Sequence, residues 1–331
     1  QGVQGDVPLI HPAIESHRAA YAGRRVAVTG GAGFIGSHLA DALVALGADV
    51  TLLDDLSNGR LANLSGDAGR ARLVRGSILD AAALDEALAG AELVFHQAAR
   101  GSVPQSIEAP LDYLETNVSG TMRVLEACRR QRVRRVVYAA SSSAYGGAPG
   151  IPKVESMRPD PLSPYAFSKL ACESLLRTWW NCYGIDAVSL RYFNVFGPRQ
   201  RHDSPYAAVV PIFAERLRAG LSPVVYGDGT QTRDFTFVAN VVHANLLAGR
   251  AAGPLEARVL NIACGTSHAL LELVERMQAT LGTNVACEFR LARAGDVLHS
   301  RASVDAAREA IGYEVVVPFD EGLRATLAAQ A

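Results

Sequence analysis

The 331-residue chain has almost no excess of charge: 32 Lys and Arg against 33 Asp and Glu leave a net charge of −1. That balance gives no electrostatic footprint for nucleic acid or for a membrane surface. Long apolar runs are missing as well, and no stretch approaches the roughly 20 residues that span a bilayer. The first residues lack the apolar core of a signal peptide; through Gly23 they are polar and carry Pro8 and Pro12. Cysteine is scarce. Cys128, Cys172, Cys182, Cys264 and Cys287 are odd in number and widely spaced, without a C-x-x-C. They argue against a disulfide framework or a zinc site and for small buried hydrophobes in a reducing compartment. The eight histidines form no H-E-x-x-H or other paired spacing, so no metal is expected. There is no internal repeat and no low-complexity linker. What these absences leave is a soluble, cytoplasmic protein of one large domain or two modest ones, with 49% apolar residues to build a core.

The apolar pattern alternates between short continuous runs and longer periodic stretches. Residues 1–22 read as an arm, with a short helix over Glu15 to Tyr21. Arg24 to Thr29 reads as a strand, and Ile35, Leu39, Leu43 and Leu46 then mark a helix that Gly47 stops. Further strands are expected at Asp49–Asp54, near Ala71–Arg75, at Glu92–His96, at Arg135–Ala140 and at Ala187–Tyr192. Helices are expected over Ala82–Leu88, around Tyr113–Arg130 and from Tyr165 to Tyr183. Continuous apolar strands separated by helices predict an α/β fold, a parallel sheet covered on both faces. Beyond Asn194 the pattern loosens into Gly- and Pro-rich turns with short strands near Val224–Tyr226, Leu260–Ala263 and Ala286–Arg290, which reads as a smaller α/β unit at the carboxyl end.

Three stretches carry chemistry. Gly30-Gly31-Ala32-Gly33-Phe34-Ile35-Gly36 lies between the first strand and the first helix. Glycines there permit a tight turn and close approach of backbone to a pyrophosphate at a helix amino end. Asp54 closes the second strand, where a carboxylate can bind ribose hydroxyls and repel a 2′-phosphate, favouring NAD over NADP, with Arg60 nearby as a counter-argument. Tyr165 and Lys169 are four residues apart and share one face of a helix. An ammonium one turn from a phenol can lower the phenol's pKa by roughly 1–3 units and make it a general base. The same spacing also fits an exposed aromatic beside a solvated Lys. Ser141-Ser142-Ser143 ends an apolar strand, where a hydroxyl can partner that base or simply cap a turn.

Taken together, T-G-G-A-G-F-I-G (29–36), L-D-D-L-S-N-G (53–59), H-Q-A-A (96–99), S-S-S-A-Y-G (141–146), S-P-Y-A-F-S-K (163–169), R-Y-F-N-V-F-G-P-R (191–199), G-D-G-T-Q-T-R-D-F (227–235) and R-A-G-D-V (293–297) resemble the extended short-chain dehydrogenase/reductase family, in its nucleotide-sugar 4-epimerase branch. The resemblance covers nearly the whole chain after the arm. It implies a Rossmann-type doubly wound parallel sheet over 23–193, with return segments near 228–250, and a UDP-sugar-binding domain over 194–331. It implies Tyr165 as catalytic base, Ser141 as its hydroxyl partner and Lys169 on the nicotinamide ribose. An NAD site is implied at Gly30, Gly33, Phe34, Ile35, Gly36, Asp54, Asn58, Gly59, Ser77, Ile78, Gln97, Ala98, Ala99, Asn117, Tyr165, Lys169 and Tyr192. Substrate contacts are implied at Arg100, Gly101, Ser102, Ser142, Ser143, Asn194, Arg233, Arg293, Asp296 and Ser300, with the arginines forking a diphosphate. Ser77 stands where relatives usually carry an Asp near adenine, and Ala239 replaces a frequent acidic residue.

The implied reaction inverts C4 of a UDP-hexose through a 4-keto sugar that turns over before the hydride returns. A dehydratase or decarboxylase of the same family would need carboxylates directly after Ser141, where this chain has Ser142 and Ser143. A non-catalytic dinucleotide sensor is the third reading. Ser300, small, stands where the resemblance places a gate over the sugar. Arg100 points to a uronate carboxylate, to solvent, or to a protein carboxylate such as Glu108. UDP-glucuronate/galacturonate and UDP-N-acetylglucosamine/galactosamine are therefore near-equal substrate expectations, with UDP-glucose third. The resemblance also implies a homodimer through the helices near 113–130 and 165–183.

Overall fold

The computed structural model describes residues 12–201, 208–291 and 298–329. Seven strands form one parallel sheet: β1 (Arg25–Thr29), β2 (Asp49–Asp54), β3 (Arg72–Arg75), β4 (Leu93–His96), β5 (Arg135–Ser141), β6 (Asp186–Tyr192) and β7 (Arg258–Ile262), in the order β7-β6-β5-β4-β1-β2-β3. Parallel pairing buries both faces, so successive side chains feed two cores. Val26, Val28, Val137 and Ala139 pack with the helices Phe34–Ala45 and Val238–Arg250, whereas Ala27, Val136, Tyr138 and Ala140 pack with Ala81–Ala87, Gly120–Gln131 and Pro164–Tyr183. Each fully buried Val or Leu contributes about 1.5–3 kcal/mol of transfer free energy. The sheet order reverses between β1 and β4, which opens a crevice at the carboxyl ends of the strands.

The strand expected near Leu260–Ala263 belongs to this sheet and not to the smaller unit. As β7 it runs parallel to β6, Arg258 beside Val188 through Ile262 beside Tyr192. The smaller unit holds three two-stranded pairings, 195–196 with 236–237, 232–233 with 268–269 and 224–226 with 288–290. They surround an aromatic core of Phe196, Phe213, Phe235, Phe237 and Phe319. The helix expected around Tyr113–Arg130 begins earlier, at Pro110, and passes through a π-helical turn at Glu115–Ser119 before Gly120–Gln131; a separate helix, Val103–Glu108, precedes it. The described part of the arm is no loose appendage. Ile14, His17 and Tyr21 are buried, and the Tyr21 hydroxyl donates to the Leu246 carbonyl at 2.8 Å. Among the cysteines, which are all free, Cys128 and Cys172 are buried as expected but Cys182 is exposed.

Three buried histidines make the fold sensitive to acid. His96 lies between the hydroxyls of Thr29 (2.6 Å) and Thr121 (2.9 Å), His38 against the Pro198 carbonyl (2.9 Å) and His17 against His243 (3.2 Å). Burial pushes their pKa values down, to about 3, about 4 and about 4, with neighbouring Lys169, Arg199 and His243 adding to it. Asp234 works in the other direction, since burial raises it to about 7 and the native state keeps its proton. Near pH 5.5 the unfolded chain therefore binds about three His protons that the native state refuses, against one on Asp234. Stability should fall by about 2–3 kcal/mol per pH unit between pH 6 and 5. Urea unfolding at pH 7, 6 and 5 checks this, and a protein that gains stability on acidification would contradict it.

Candidate active site

At the end of β1, Gly30 takes φ +68°, and a Cβ on it would sit 2.7 Å from the Ala98 backbone nitrogen. A Cβ on Gly36 would meet the Gly30 carbonyl oxygen at 2.0 Å, so the helix Phe34–Ala45 lies tight on the turn. Gly33 caps that helix without any side-chain bond, which leaves the first-turn N–H groups uncovered at its positive end. Asp54, buried, accepts from Ala32 N (2.9 Å) and Leu56 N (2.8 Å), and burial pushes its pKa up against those two donors. It thereby ties the glycine turn to the loop holding Asn58 and Gly59; a Cβ on Gly59 would strike the Asp54 carboxylate at 2.7 Å. Asn58 accepts from Arg201 (2.9 Å). Such a cradle of bare backbone with a carboxylate at its edge fits a dinucleotide.

Other expected cofactor residues line the same crevice edge with side chains already engaged. Phe34 and Ile35 open the helix after the turn, the Phe34 ring edge-on to His38 (5.9 Å between centroids). Ser77 closes a turn onto Leu79 N (3.2 Å), and Ile78 is buried against Gly120. Gln97 donates to the Tyr192 hydroxyl (3.2 Å) and to Asn245 (3.1 Å), which places Tyr192 in a buried polar cluster behind the loop that carries Ala98 and Ala99. Asn245 had no signal in the sequence beyond its place on an apolar helix.

The helix Pro164–Tyr183 begins at Ser163, whose hydroxyl accepts from Ala166 N (3.1 Å), with Pro164 in the first turn, and ends at Gly184 with φ +67°. It brings Tyr165 to the end of β5, where Ser141 is near enough to the phenol to offset part of the effect of its burial. Ser141 accepts from Ser143 Oγ (2.8 Å) and Ser143 N (3.2 Å), so the turn Ser142–Tyr145 is fixed on it. Lys169, one turn on, is buried. Its Nζ donates to the Ala139 carbonyl (2.8 Å) and lies 5.0 Å from the Tyr138 ring centroid. The expectation that Lys169 lowers the phenol is not met in this arrangement. Burial pushes Tyr165 up, and burial also pushes Lys169 down to about 8. The phenol is thus protonated at rest, with Ser141 partly offsetting its burial.

Asn117 sits in the π-helical turn, a feature that often marks functional sites. Its side chain holds the N–H and the C=O of one residue, accepting from Arg100 N (2.8 Å) and donating to Arg100 O (3.1 Å), and it donates to Ser168 as well (2.9 Å). The Arg100 guanidinium is about half exposed, with Nε on the Thr116 hydroxyl (3.3 Å) and Nη1 3.9 Å from Asp112. Asp112, rather than Glu108, is thus its carboxylate neighbour. Gly101 is exposed with open space around its Cα, and Ser102 caps the helix Val103–Glu108. Across the crevice, Asn194 (φ +34°) donates to the Asp234 carbonyl (3.0 Å). Arg233 Nη1 donates to the carbonyls of Thr232 (2.9 Å) and Leu298 (3.2 Å), and Ser300 N is bound to Thr232 O (3.1 Å). These three therefore meet at one junction of the smaller unit. Arg293 and Asp296 lie outside the described residues.

Residues 26–263 match the profile described as the NAD dependent epimerase/dehydratase family. A UDP-glucose 4-epimerase of Mycolicibacterium smegmatis is 40% identical over 308 residues, covering 92% of this chain and 97% of that one. Among solved structures, a UDP-N-acetylglucosamine 4-epimerase from Methanobrevibacter ruminantium, in complex with UDP-N-acetylmuramic acid, superposes with TM-score 0.89 at 38% identity over 93% of this chain and 98% of that one. A UDP-glucuronic acid 4-epimerase from Bacillus cereus, with UDP-glucuronic acid and NAD, gives TM-score 0.85 at 28% identity over 92% and 98%.

Proposed function

Because the chain belongs to the NAD-dependent epimerase/dehydratase family, we propose that it inverts C4 of a UDP-sugar, with UDP-N-acetylglucosamine and UDP-N-acetylgalactosamine as the preferred pair. NAD is the cofactor, and it supplies a hydride acceptor at C4 that gives the hydride back. The glycine turn and Asp54 hold it by backbone donors and a carboxylate. The observation that carries the proposal is the hydroxyl pair Tyr165–Ser141, followed by Ser142 and Ser143 in place of carboxylates. As the phenolate, the scarce form at neutral pH, Tyr165 takes the proton from the 4-hydroxyl while Ser141 orients that hydroxyl, and the resulting phenol returns the proton afterwards. A dehydratase has to remove a second proton and expel a hydroxyl, and the two positions after Ser141 carry hydroxyls rather than the carboxylates suited to that work.

The substrate ranking rests on two residues. Ser300 is small, with its backbone tied to Thr232 beside Arg233, and a small side chain at this position supports a substrate with an N-acetyl group. Arg100, engaged by Thr116 and Asp112 on an exposed face, supports the N-acetylhexosamines over the hexuronates. A UDP-hexuronate is the second reading, because an exposed pair at 3.9 Å is worth only about 0–1 kcal/mol and yields to a better carboxylate. UDP-glucose ranks third. The test is incubation with all three UDP-sugar classes, with product stereochemistry read by NMR and without added cofactor. Conversion of the N-acetyl pair is expected, conversion of the uronate alone promotes the second reading, and conversion of none removes the proposal.

Ser300→Tyr should lower kcat/KM on UDP-N-acetylglucosamine about 10-fold or more beyond any loss on UDP-glucose, the cost of overfilling a packed site. Equal loss on both would show that Ser300 does not gate. The second subunit of the proposed homodimer covers Ile107 (64% exposed), Leu111 (77%) and Phe167 (52%), apolar side chains on neighbouring helices. Light scattering should give twice the chain mass, and Leu111→Asp should give the monomer; a monomeric wild type would rule the dimer out.

A further inference from the structure

Tyr113 and Asn117 are four residues apart on the run from Pro110–Leu114 into Glu115–Ser119, and each touches the same two neighbours. On one side is the loop 100–105. Asn117 holds the N–H and the C=O of Arg100, while the Tyr113 hydroxyl accepts from Ser102 N (3.1 Å) and donates to Gln105 Oε1 (3.4 Å). On the other side is the helix of the catalytic residues. Asn117 donates to Ser168, and the Tyr113 ring lies edge-on to the Tyr165 ring, with centroids 6.4 Å apart and planes at 88°. Tyr113 is buried, so its hydroxyl has no water to fall back on if these partners move. The Ser102 side chain is already committed to Gln105 N as a helix cap (3.3 Å), which leaves the Ser102 N–H for Tyr113. Fixing the backbone at 100 and again at 102 removes the loop's freedom to slide relative to Tyr165.

We infer that Tyr113 is a positioning residue for substrate selection: its hydroxyl sets the loop 100–105 and its ring edge sets Tyr165, so the sugar-facing loop and the base form one rigid frame. This rests on the proposed function, in which Gly101 and Ser102 lie beside the hexose. Tight frames matter because a displacement of about 1 Å in a reacting geometry can cost about 10²-fold in rate. The hydroxyl and the ring do separate jobs, and substitutions can separate them.

Tyr113→Phe keeps the ring edge and removes both loop bonds. KM for UDP-N-acetylglucosamine should rise about fivefold to tenfold, the scale of one or two neutral hydrogen bonds, with kcat changing much less. The ratio of kcat/KM between UDP-N-acetylglucosamine and UDP-glucose should move toward one. Tyr113→Leu also removes the ring, and kcat should then fall as well. A Tyr113→Phe protein with unchanged KM and unchanged discrimination, including one that is merely less heat-stable, would overturn the inference. Should the wild type turn over no UDP-sugar, the proposed function fails on its own. Calorimetric titration of wild type and Tyr113→Phe with UDP-N-acetylglucosamine and UDP-glucose then decides the inference separately: weaker and less selective binding by the variant supports it, and equal binding overturns it.

Discussion

Tyr165→Phe should lower kcat by about 10²–10⁴-fold, the usual contribution of a positioned general base. The substitution removes one oxygen. The ring remains against Tyr113 and the helix Pro164–Tyr183 keeps its cap, so the fold and the bound cofactor should be retained. What is lost is the oxygen to which the proposed function assigns the proton transfer. The pH dependence follows from the sign of the shift. Burial raises the phenol above its ordinary value, so the phenolate is the scarce form at neutral pH and its fraction grows as pH rises. For the wild type, kcat/KM should climb between pH 6 and 8 with a slope approaching one in logarithmic units, whereas the residual activity of the variant should be flat over that range. Product formation by NMR, with protein-bound NAD assayed after denaturation, checks both. A variant that keeps turnover within a factor of about three would mean that another group takes the proton.

The sequence made the cofactor half of the site legible, because its signals are local. Gly33 and Gly36 answer to steric limits within one turn, Gly30 to its own positive φ, and Asp54 ends a strand rich in Val and Leu. The Tyr165–Lys169 spacing likewise places both residues on one helix face, and the structure places them so. What the spacing could not carry is where the ammonium points. Lys169 reaches the Ala139 carbonyl on β5, a contact between elements 30 residues apart, and burial rather than the ammonium sets the direction in which Tyr165 shifts. The same limit explains β7. Five residues, R-V-L-N-I, look alike at the edge of a large sheet or in a small one, and only the long-range pairing with β6 decides. The π-helical turn is hidden for a third reason: the apolar periodicity runs through it, and the residues that accommodate it, Thr121 and Cys172 on the Asn117 carbonyl, come together only in the folded chain. Arg100 was open between partners because a flexible cation on a loop has several carboxylates within reach. Tyr113, in turn, has a four-residue spacing to Asn117 like that of Tyr165 to Lys169, but no charge to draw attention to it.

Glu173→Leu should be strongly destabilising. Arg191 Nε and Nη2 donate to the two Glu173 oxygens at 2.8 and 2.7 Å, in a fork whose side chains are 3% and 6% exposed. The guanidinium also lies 4.5 Å from the centre of the Tyr145 ring, and the Tyr145 hydroxyl donates to Asn261 Oδ1 at 2.7 Å. One buried pair thus joins the helix Pro164–Tyr183, β6, the serine turn and β7. Removing the carboxylate leaves a guanidinium without a counter-charge in the core, which costs about 3–5 kcal/mol. In a chain of this size that corresponds to a fall in Tm of roughly 4–7 °C. Activity should drop too, because Tyr145 ends the turn that fixes Ser141 through Ser143. The pair itself is a different matter, since desolvating two charges offsets much of their attraction. Glu173→Leu combined with Arg191→Met should therefore recover at least half of the lost stability, while kcat stays low because the stack under Tyr145 is gone. Chemical denaturation of the wild type, both single variants and the double variant measures the coupling. A single variant within about 1 kcal/mol of wild type, or a double variant no better than Glu173→Leu, would mean that the fork is not what holds these four elements together.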